Sequence, residues 1–280
     1  MGSSGRLDKM TSTTNKWIDI NSITNDRSVQ IPSKRFKGRL SSGTGNLEDI
    51  SLRDLLLKSN HAYLIAQNDF EAGVLSPWAG TNTGAGTSVT PIAPLDNTHS
   101  GLVQLSTGVT PTGLAGVRYN ATNSMFIAGG GELIGISKIR LPTLSTGAQG
   151  YDLRIGFIDS FTTGDNTDSC GYFEYSHDIN GGNWVIATAN NSTRTKVNTI
   201  IPPIANQFIY LKTVTNAAGT QTDFYIDNVL AGSINTNIPT TVARSFDFGC
   251  FIVKWVGIAA RIMLVDRCFI ARERLDVDNF

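Results

Sequence analysis

The feature that most constrains the fold is the alternation of apolar and polar residues along short stretches of the chain. Between Tyr151 and Phe157 every second side chain is apolar, and Asp152, Arg154 and Gly156 stand between them. A period of two places the apolar side chains on one face of a half-buried β-strand. Further strands are predicted at Tyr172–Ser176, Trp184–Ala189, Phe208–Val214, Phe251–Val256 and Ile262–Ile270. Their spacing of roughly 8–14 residues, with turn-forming residues between them, is typical of a β-sandwich.

A hairpin is predicted where Gln221–Ile226 and Val229–Ile234 flank Asp227-Asn228. Asp and Asn tolerate the left-handed backbone that a two-residue turn between antiparallel strands requires. No strand alternates with a helical pattern, so a nucleotide-binding α/β sheet is not expected. The composition agrees, because glycine occurs 28 times and only 16% of the residues are charged. Such a composition favours strands and turns over coiled coils and helical bundles.

Charge and composition divide the chain into two parts. Residues 1–60 carry ten Lys/Arg and six Asp/Glu, whereas the whole chain carries 23 of each. This first part is polar and irregular, with one short helix predicted over Leu52–Lys58, capped by Ser51. A helix of this length is not stable alone in water, so we expect it to dock on another surface. We therefore predict an N-terminal attachment segment at 1–60 and a β-sandwich at 61–280.

Several classes of partner and site are disfavoured. The formal net charge is zero, which gives no reason to expect nucleic acid as a partner. No apolar run approaches the ~20 residues that span a bilayer, and the first residues lack the apolar core of a signal peptide. We therefore expect synthesis in a cytoplasm and no membrane insertion. Cys170, Cys250 and Cys268 form no C-x-x-C pair, which favours buried reduced thiols over a disulfide framework or a zinc site. No metal and no cofactor are expected.

The stretch Phe36–Leu52, FKGRLSSGTGNLEDISL, carries a first resemblance. It resembles a "GR-x-small-x-G-x-G-x-x-E-x-I" element of tail-fibre and minor tail proteins from tailed bacteriophages. The resemblance implies docking onto other virion proteins. The docking residues that it implies are Phe36, Gly38, Arg39, Gly43, Gly45, Glu48 and Ile50. The neighbouring basic residues, with only one aromatic residue among them, fit a face that docks on a protein partner better than a nucleic-acid site.

A second resemblance extends over most of residues 69–270. Its motifs include DFEAGVLSPW (Asp69–Trp78), GGELIGISKIRLPTLS (Gly130–Ser145), LRIGFIDS (Leu153–Ser160) and DFYIDNVLAGSINTNIPT (Asp223–Thr240). Together they resemble a concanavalin-like jelly-roll module of phage virion proteins. The resemblance implies two packed antiparallel sheets and a homotrimer. It also implies a location in the virion, after synthesis in the cytoplasm of the bacterial host.

Candidate catalytic carboxylates are few. A glycoside hydrolase needs two carboxylates facing each other across a cleft, and Glu174 with Asp178 in YFEYSHD is the best pair. The Glu-x-Asp-x-x-Glu pattern of jelly-roll glycosidases is absent, so we expect both acids at a surface strand end and no enzymatic activity. Asp165–Asp168 offers oxygen ligands, but its spacing departs from that of a calcium loop, and a polar surface turn is expected.

Aromatic side chains are the candidates for stacking on a sugar ring. Large aromatic residues of a sandwich usually belong to its core. Trp184 follows the turn Asn180–Asn183 and is expected to be the most exposed, ahead of Trp78 and Trp255. The sequence therefore places a glycan contact at Trp184, with Tyr172 as its companion.

The two resemblances imply a structural subunit of a tailed-phage particle, that is, a fibre, spike or decoration protein. Its N-terminal segment would attach it, and its sandwich would project outward with a host-surface glycan as ligand. The competing hypothesis is a capsular-polysaccharide-degrading enzyme of the tailspike type, for which 280 residues is short and no long repetitive β-helix is visible. A bacterial adhesin is a third class, which the missing signal peptide disfavours.

Overall fold

The computed structural model describes residues 35–38, 48–51, 62–70, 75–96, 100–119, 125–162 and 164–274. The chain divides into two units, Met1–Leu55 and Leu56–Phe280. The predicted helix at Leu52–Lys58 lies outside the described residues, and the boundary near residue 60 stays a prediction.

The first unit contains one two-stranded antiparallel sheet. Strand β1 (Arg35–Gly38) pairs with β2 (Glu48–Ser51), so that Phe36 stands opposite Ile50. The expectation of irregular structure is therefore wrong for these two stretches. The other predicted docking residues, Arg39, Gly43 and Gly45, lie outside the described residues.

The second unit is a sandwich of two antiparallel sheets, which confirms the predicted jelly-roll class. One sheet has the order β12-β11-β10-β9-β16-β7-β4; the other has the order β15-β14-β13-β8-β17-β6-β5, with β3 also paired to β17. The strands are β3 (Ala62–Asn68), β4 (Trp78–Thr83), β5 (Ser88–Ile92), β6 (Leu102–Ser106), β7 (Gly113–Tyr119), β8 (Leu133–Arg140), β9 (Tyr151–Ile158), β10 (Ser169–Tyr175), β11 (Val185–Asn190), β12 (Thr193–Asn198), β13 (Phe208–Thr215), β14 (Thr222–Ile226), β15 (Val229–Ile234), β16 (Asp247–Lys254) and β17 (Ile262–Arg274). Short 3₁₀ helices lie at Asn180–Gly182 and Val242–Arg244.

The core lies between the two sheets and is rich in aromatic rings. The apolar residues of β9 from Tyr151 to Phe157 all belong to this core, as predicted, but the strand is not half-buried, because Arg154 and Gly156 on its other face are buried too. Phe157 packs edge-on against Phe248 of the neighbouring strand, with ring centroids 4.9 Å apart. Gly135 of the facing sheet makes room for these rings, since a Cβ there would lie 2.2 Å from the Phe248 ring. The two sheets approach closely only because this position has no side chain.

The predicted hairpin is confirmed as β14 and β15. Its two turn residues adopt positive φ, 48° at Asp227 and 65° at Asn228, as a two-residue turn of this kind requires. The Asp227 carboxylate accepts a 2.9 Å hydrogen bond from the backbone N–H of Tyr210. This side chain therefore ties the turn to β13.

The three cysteines are free and buried, as predicted. Cys250 and Cys268 meet between the sheets with their sulfur atoms 3.9 Å apart, and Ser137 contacts both. Burial raises the pKa of Cys170 to about 12 and also raises that of Cys268, so these thiols stay protonated and unreactive at neutral pH. Within the described part of the chain no helix is long and apolar enough to cross a membrane.

Candidate functional site

The outer face of the seven-stranded sheet is partly covered, because several of its apolar side chains are buried. Tyr172, Phe251 and Val253 point away from the core and form a second apolar cluster with their neighbours. The loop 159–168 lies between β9 and β10, and its described residues, 159–162 and 164–168, fold over part of this face. Its Phe161 packs on the Phe251 ring, with centroids 5.4 Å apart. The loop therefore covers one region of the sheet and leaves another open.

A charge cluster lies beneath this loop. The Arg154 guanidinium is 3.5 Å from Oε1 of Glu174, and the Lys196 ammonium is 2.6 Å from Oε2. Arg154 also reaches the loop, where it donates to the carbonyl of Gly164 and lies 3.0 Å from an Asp165 carboxylate oxygen. Two cations therefore neutralise the Glu174 carboxylate, and one of them holds the loop in place.

The two candidate carboxylates, Glu174 and Asp178, differ in their exposure. Glu174 is only 2% exposed, so its predicted place at a surface strand end is wrong. Its partners Arg154 and Lys196 come from β9 and β12, so the local pattern of β10 gives no sign of this burial. Asp178 is exposed as expected and accepts a 2.6 Å hydrogen bond from Ser176. The structure thus separates a buried, neutralised carboxylate from one that faces solvent.

The predicted exposure of Trp184 and Tyr172 is also wrong. Both are fully buried. Trp184 packs against Tyr175 in the core, and its backbone N–H donates to the carbonyl of Ile201, which places the indole inside the sandwich. Tyr172 lies in the apolar cluster on the outer face, and burial raises the pKa of its hydroxyl. Neither ring offers a face to a sugar in this structure.

The open region of the sheet is a cleft of about 450 Å³. It is lined by Thr112, Asp152, Asp178, Ile179, Val253, Lys254 and Trp255. Trp255 is 41% exposed. Among the side chains whose exposure the structure describes, it is the most exposed aromatic residue. It follows the last residue of β16, within the segment that the sequence predicts to be strand.

Hydrogen bonds fix the orientation of the Trp255 indole. Its Nε1 donates to Oδ1 of Asp152 at 2.9 Å. His177 stacks on it with a centroid separation of 5.6 Å and an interplanar angle of 18°. The His177 ring is held in turn by a 3.2 Å contact between its Nδ1 and the Ser145 hydroxyl. Because each partner is itself held, the exposed part of the indole is preorganised for a ligand.

The Asp152 carboxylate forms one wall of the cleft. Burial raises its pKa above the usual value, while the neighbouring Ser176 hydroxyl and Trp255 indole lower it in part. The Ser176 hydroxyl lies beside both carboxylates and donates its one proton to Asp178 at 2.6 Å. The cleft therefore presents hydrogen-bond acceptors on both sides of the Ser176 hydroxyl.

Lys254 joins two of the loops around the cleft. Its ammonium donates to the carbonyl of Gly108 at 2.5 Å and to that of Ala259 at 3.2 Å. Burial and the neighbouring Arg261 lower its pKa. The residue is 1% exposed, so its ammonium binds these two carbonyls and is not available to a ligand in the cleft.

The acids of the loop 159–168 are bound by the protein itself. Asp165 lies near the guanidinium groups of Arg154 and Arg194, and Asp168 pairs with Arg244 at 3.3 Å. Among the described residues there is no group of three or more histidine, cysteine or acidic side chains that could hold a metal ion. The turn at Asp165–Asp168 is polar, as expected, but its predicted place at the surface is only partly right, because Asn166 and Asp168 are buried.

Comparisons with known proteins place this fold. A family model for the SO2946-like, C-terminal domain matches residues 98–266, which is more than half of the chain. No curated protein sequence matches the chain significantly. The SO2946 protein of unknown function from Shewanella oneidensis MR-1 is similar in structure, with a TM-score of 0.56 and 17% identity over 83% of this chain and 98% of that one.

Two other solved structures belong to carbohydrate-active proteins. An endo-β-1,4-glucuronan lyase from the fungus Trichoderma reesei has a TM-score of 0.50 and 12% identity, over 77% of this chain and 99% of that one. A carbohydrate esterase from the Shiga toxin-encoding bacteriophage phi24B has a TM-score of 0.49 and 12% identity, over 75% and 97%. At 12% identity the likeness to the lyase shows the fold alone.

Proposed function

The chain belongs to the SO2946-like C-terminal domain family, and we propose that it is a structural subunit of a bacteriophage particle whose β-sandwich binds a host-surface glycan. The glycan site is the cleft of Asp152, Asp178 and Trp255. The observation that carries this proposal is an exposed indole, held in place by its neighbours, beside two carboxylates on an open sheet face.

The chemistry of a pyranose matches this arrangement. One face of the ring is apolar and can cover the exposed part of the Trp255 indole, while its hydroxyls can donate to the carboxylates of Asp152 and Asp178. The cleft volume, about 450 Å³, lies within the usual range for small-molecule sites. A fold shared with a glucuronan lyase adds support from a protein that acts on sugar polymers.

Substitution of Trp255 tests the binding role. The full chain should bind a subset of capsule and lipopolysaccharide oligosaccharides on a glycan array, and Trp255→Ala should weaken this binding at least about tenfold, because the stacking surface is lost. Titration calorimetry with the best-bound oligosaccharide measures the change. Ile258→Ala is the matched control, since Ile258 is an exposed apolar residue of the same loop that does not line the cleft. Equal affinities of Trp255→Ala and the unsubstituted chain would contradict the proposal.

We also propose that the protein is not an enzyme. The observation that favours the alternative, a polysaccharide-degrading enzyme, is that Asp152 and Asp178 line one cleft and that burial raises the pKa of Asp152, as in a general acid. Against it, Asp152 is held by the Trp255 indole. The binding mixtures should therefore release no reducing ends. If reducing ends are released, and the Asp152→Asn substitution abolishes this release, the enzyme hypothesis is supported instead.

We propose that the N-terminal segment at 1–60 docks on other virion proteins. We also propose that the protein is a homotrimer. Deleting residues 1–60 should leave a folded sandwich, because the strands of both large sheets lie beyond that point. Circular dichroism of the truncated chain should show the same β signal. Immunoblots of particles assembled in its presence should not detect the truncated chain. Normal incorporation of the truncated chain would show that this segment is not the attachment site.

A further inference from the structure

Charge is distributed asymmetrically around the cleft. Its two ionisable groups that can reach a ligand are both acids, Asp152 and Asp178. The ammonium of Lys254, whose residue also lines the cleft, is bound by two backbone carbonyls. The nearby Arg154 is buried against Glu174 and the loop 159–168. Among the described lining residues, therefore, no side-chain cation is available to neutralise an anionic ligand.

We infer that the cleft selects sugars by charge, preferring amino sugars to neutral sugars and neutral sugars to uronic acids. This inference rests on the proposed function, and it names the ligand class of that same site. A protonated amine would be both a hydrogen-bond donor and a counter-ion for Asp178, whereas a hydroxyl supplies only the donor. A uronate carboxylate would bring a third negative charge among acceptors and would find no donor that compensates it.

The three ligand classes can be compared on one backbone. Oligomers of β-1,4-linked glucosamine, glucose and glucuronate share ring size and linkage, and they carry an amine, no charge or a carboxylate. Calorimetry of the full chain at pH 6.5 and low ionic strength should rank their affinities in that order, with at least about tenfold between the first and the last. Adding 0.5 M NaCl should shrink the difference, because salt screens exposed charges.

Asp178→Asn isolates the charge of the site. It keeps an oxygen acceptor for Ser176 but removes the negative charge, so the affinity for the glucosamine oligomer should fall about tenfold while that for the glucose oligomer stays within about threefold. The matched control is Asp223→Asn on β14, whose carboxylate accepts hydrogen bonds from Gln221 and Ser233 and does not line the cleft. This control should leave both affinities unchanged.

The outcomes separate the two proposals. Tighter binding of the glucuronate oligomer than of the glucosamine oligomer would overturn the selection by charge and leave glycan binding intact. Equal weakening of glucosamine binding by Asp178→Asn and Asp223→Asn would also overturn the selection by charge and leave glycan binding intact. If no oligomer of the three and no glycan on the array binds, the proposed function itself fails, and the inference fails with it.

Discussion

Arg154→Met will destabilise the sandwich by about 1 to 3 kcal/mol, because it removes one of two cations from a carboxylate that stays buried and leaves only Lys196 beside it. Glu174 is 2% exposed, and the Arg154 guanidinium lies 3.5 Å from it. The substitution also releases the loop 159–168, which Arg154 holds through Gly164. Urea unfolding followed by tryptophan fluorescence measures the change in the free energy of unfolding.

The double variant Arg154→Met/Glu174→Met is the control for this prediction. It replaces the pair with apolar side chains of similar volume, and the remaining Lys196 is partly exposed and can turn towards water. A buried ion pair exchanged for apolar residues costs little, so the double variant should be more stable than Arg154→Met alone. If it is less stable, the destabilisation of Arg154→Met does not come from the loss of a cation beside the buried carboxylate.

Local patterns were sufficient to predict the fold of the sandwich. The core-facing side chains of β9 are apolar with a period of two from Tyr151 to Phe157, and this signal does not depend on distant contacts. The turn Asp227-Asn228 is equally local, because the backbone conformation that it needs is one that few residue types adopt. Sequence reasoning therefore succeeds where neighbours along the chain decide the structure.

The site depends on contacts between distant segments, and there the prediction failed. Trp184 and Trp255 both stand next to turns, so the sequence gives no reason to bury one and expose the other. Their difference arises from pairing, since the Trp184 backbone binds Ile201 and directs the ring inward. Trp255 lies beyond the end of β16 and meets His177 only in the folded chain. A useful signal was its position directly before Val256-Gly257, where the strand pattern ends.

Asp247→Asn is expected to stabilise the protein by about 2 to 4 kcal/mol at pH 8 and much less at pH 4. Asp247 is 2% exposed, and burial raises its pKa from 3.8 to about 7, although the Phe248 N–H and Arg118 lower it in part. Below pH 4 the carboxyl is protonated in both the folded and the unfolded chain, so burial of a charge does not lower the free energy of unfolding. Between pH 4 and pH 7 only the folded chain keeps the proton, so the stability of the unsubstituted protein falls as the pH rises. Above pH 7 the full cost of a buried carboxylate is present.

Asparagine resembles the protonated acid in shape and keeps the oxygen that accepts the 2.9 Å hydrogen bond from Phe248. The difference in unfolding free energy between Asp247→Asn and the unsubstituted chain should therefore grow from pH 4 to pH 7 and then stay constant. Chemical denaturation at pH 4, 5.5, 7 and 8.5 measures this curve. Asp178→Asn at an exposed position is the control, for which the difference should not follow this course. A difference for Asp247→Asn that is independent of pH would show that the buried carboxylate is ionised at no net cost, with Arg118 compensating for its burial.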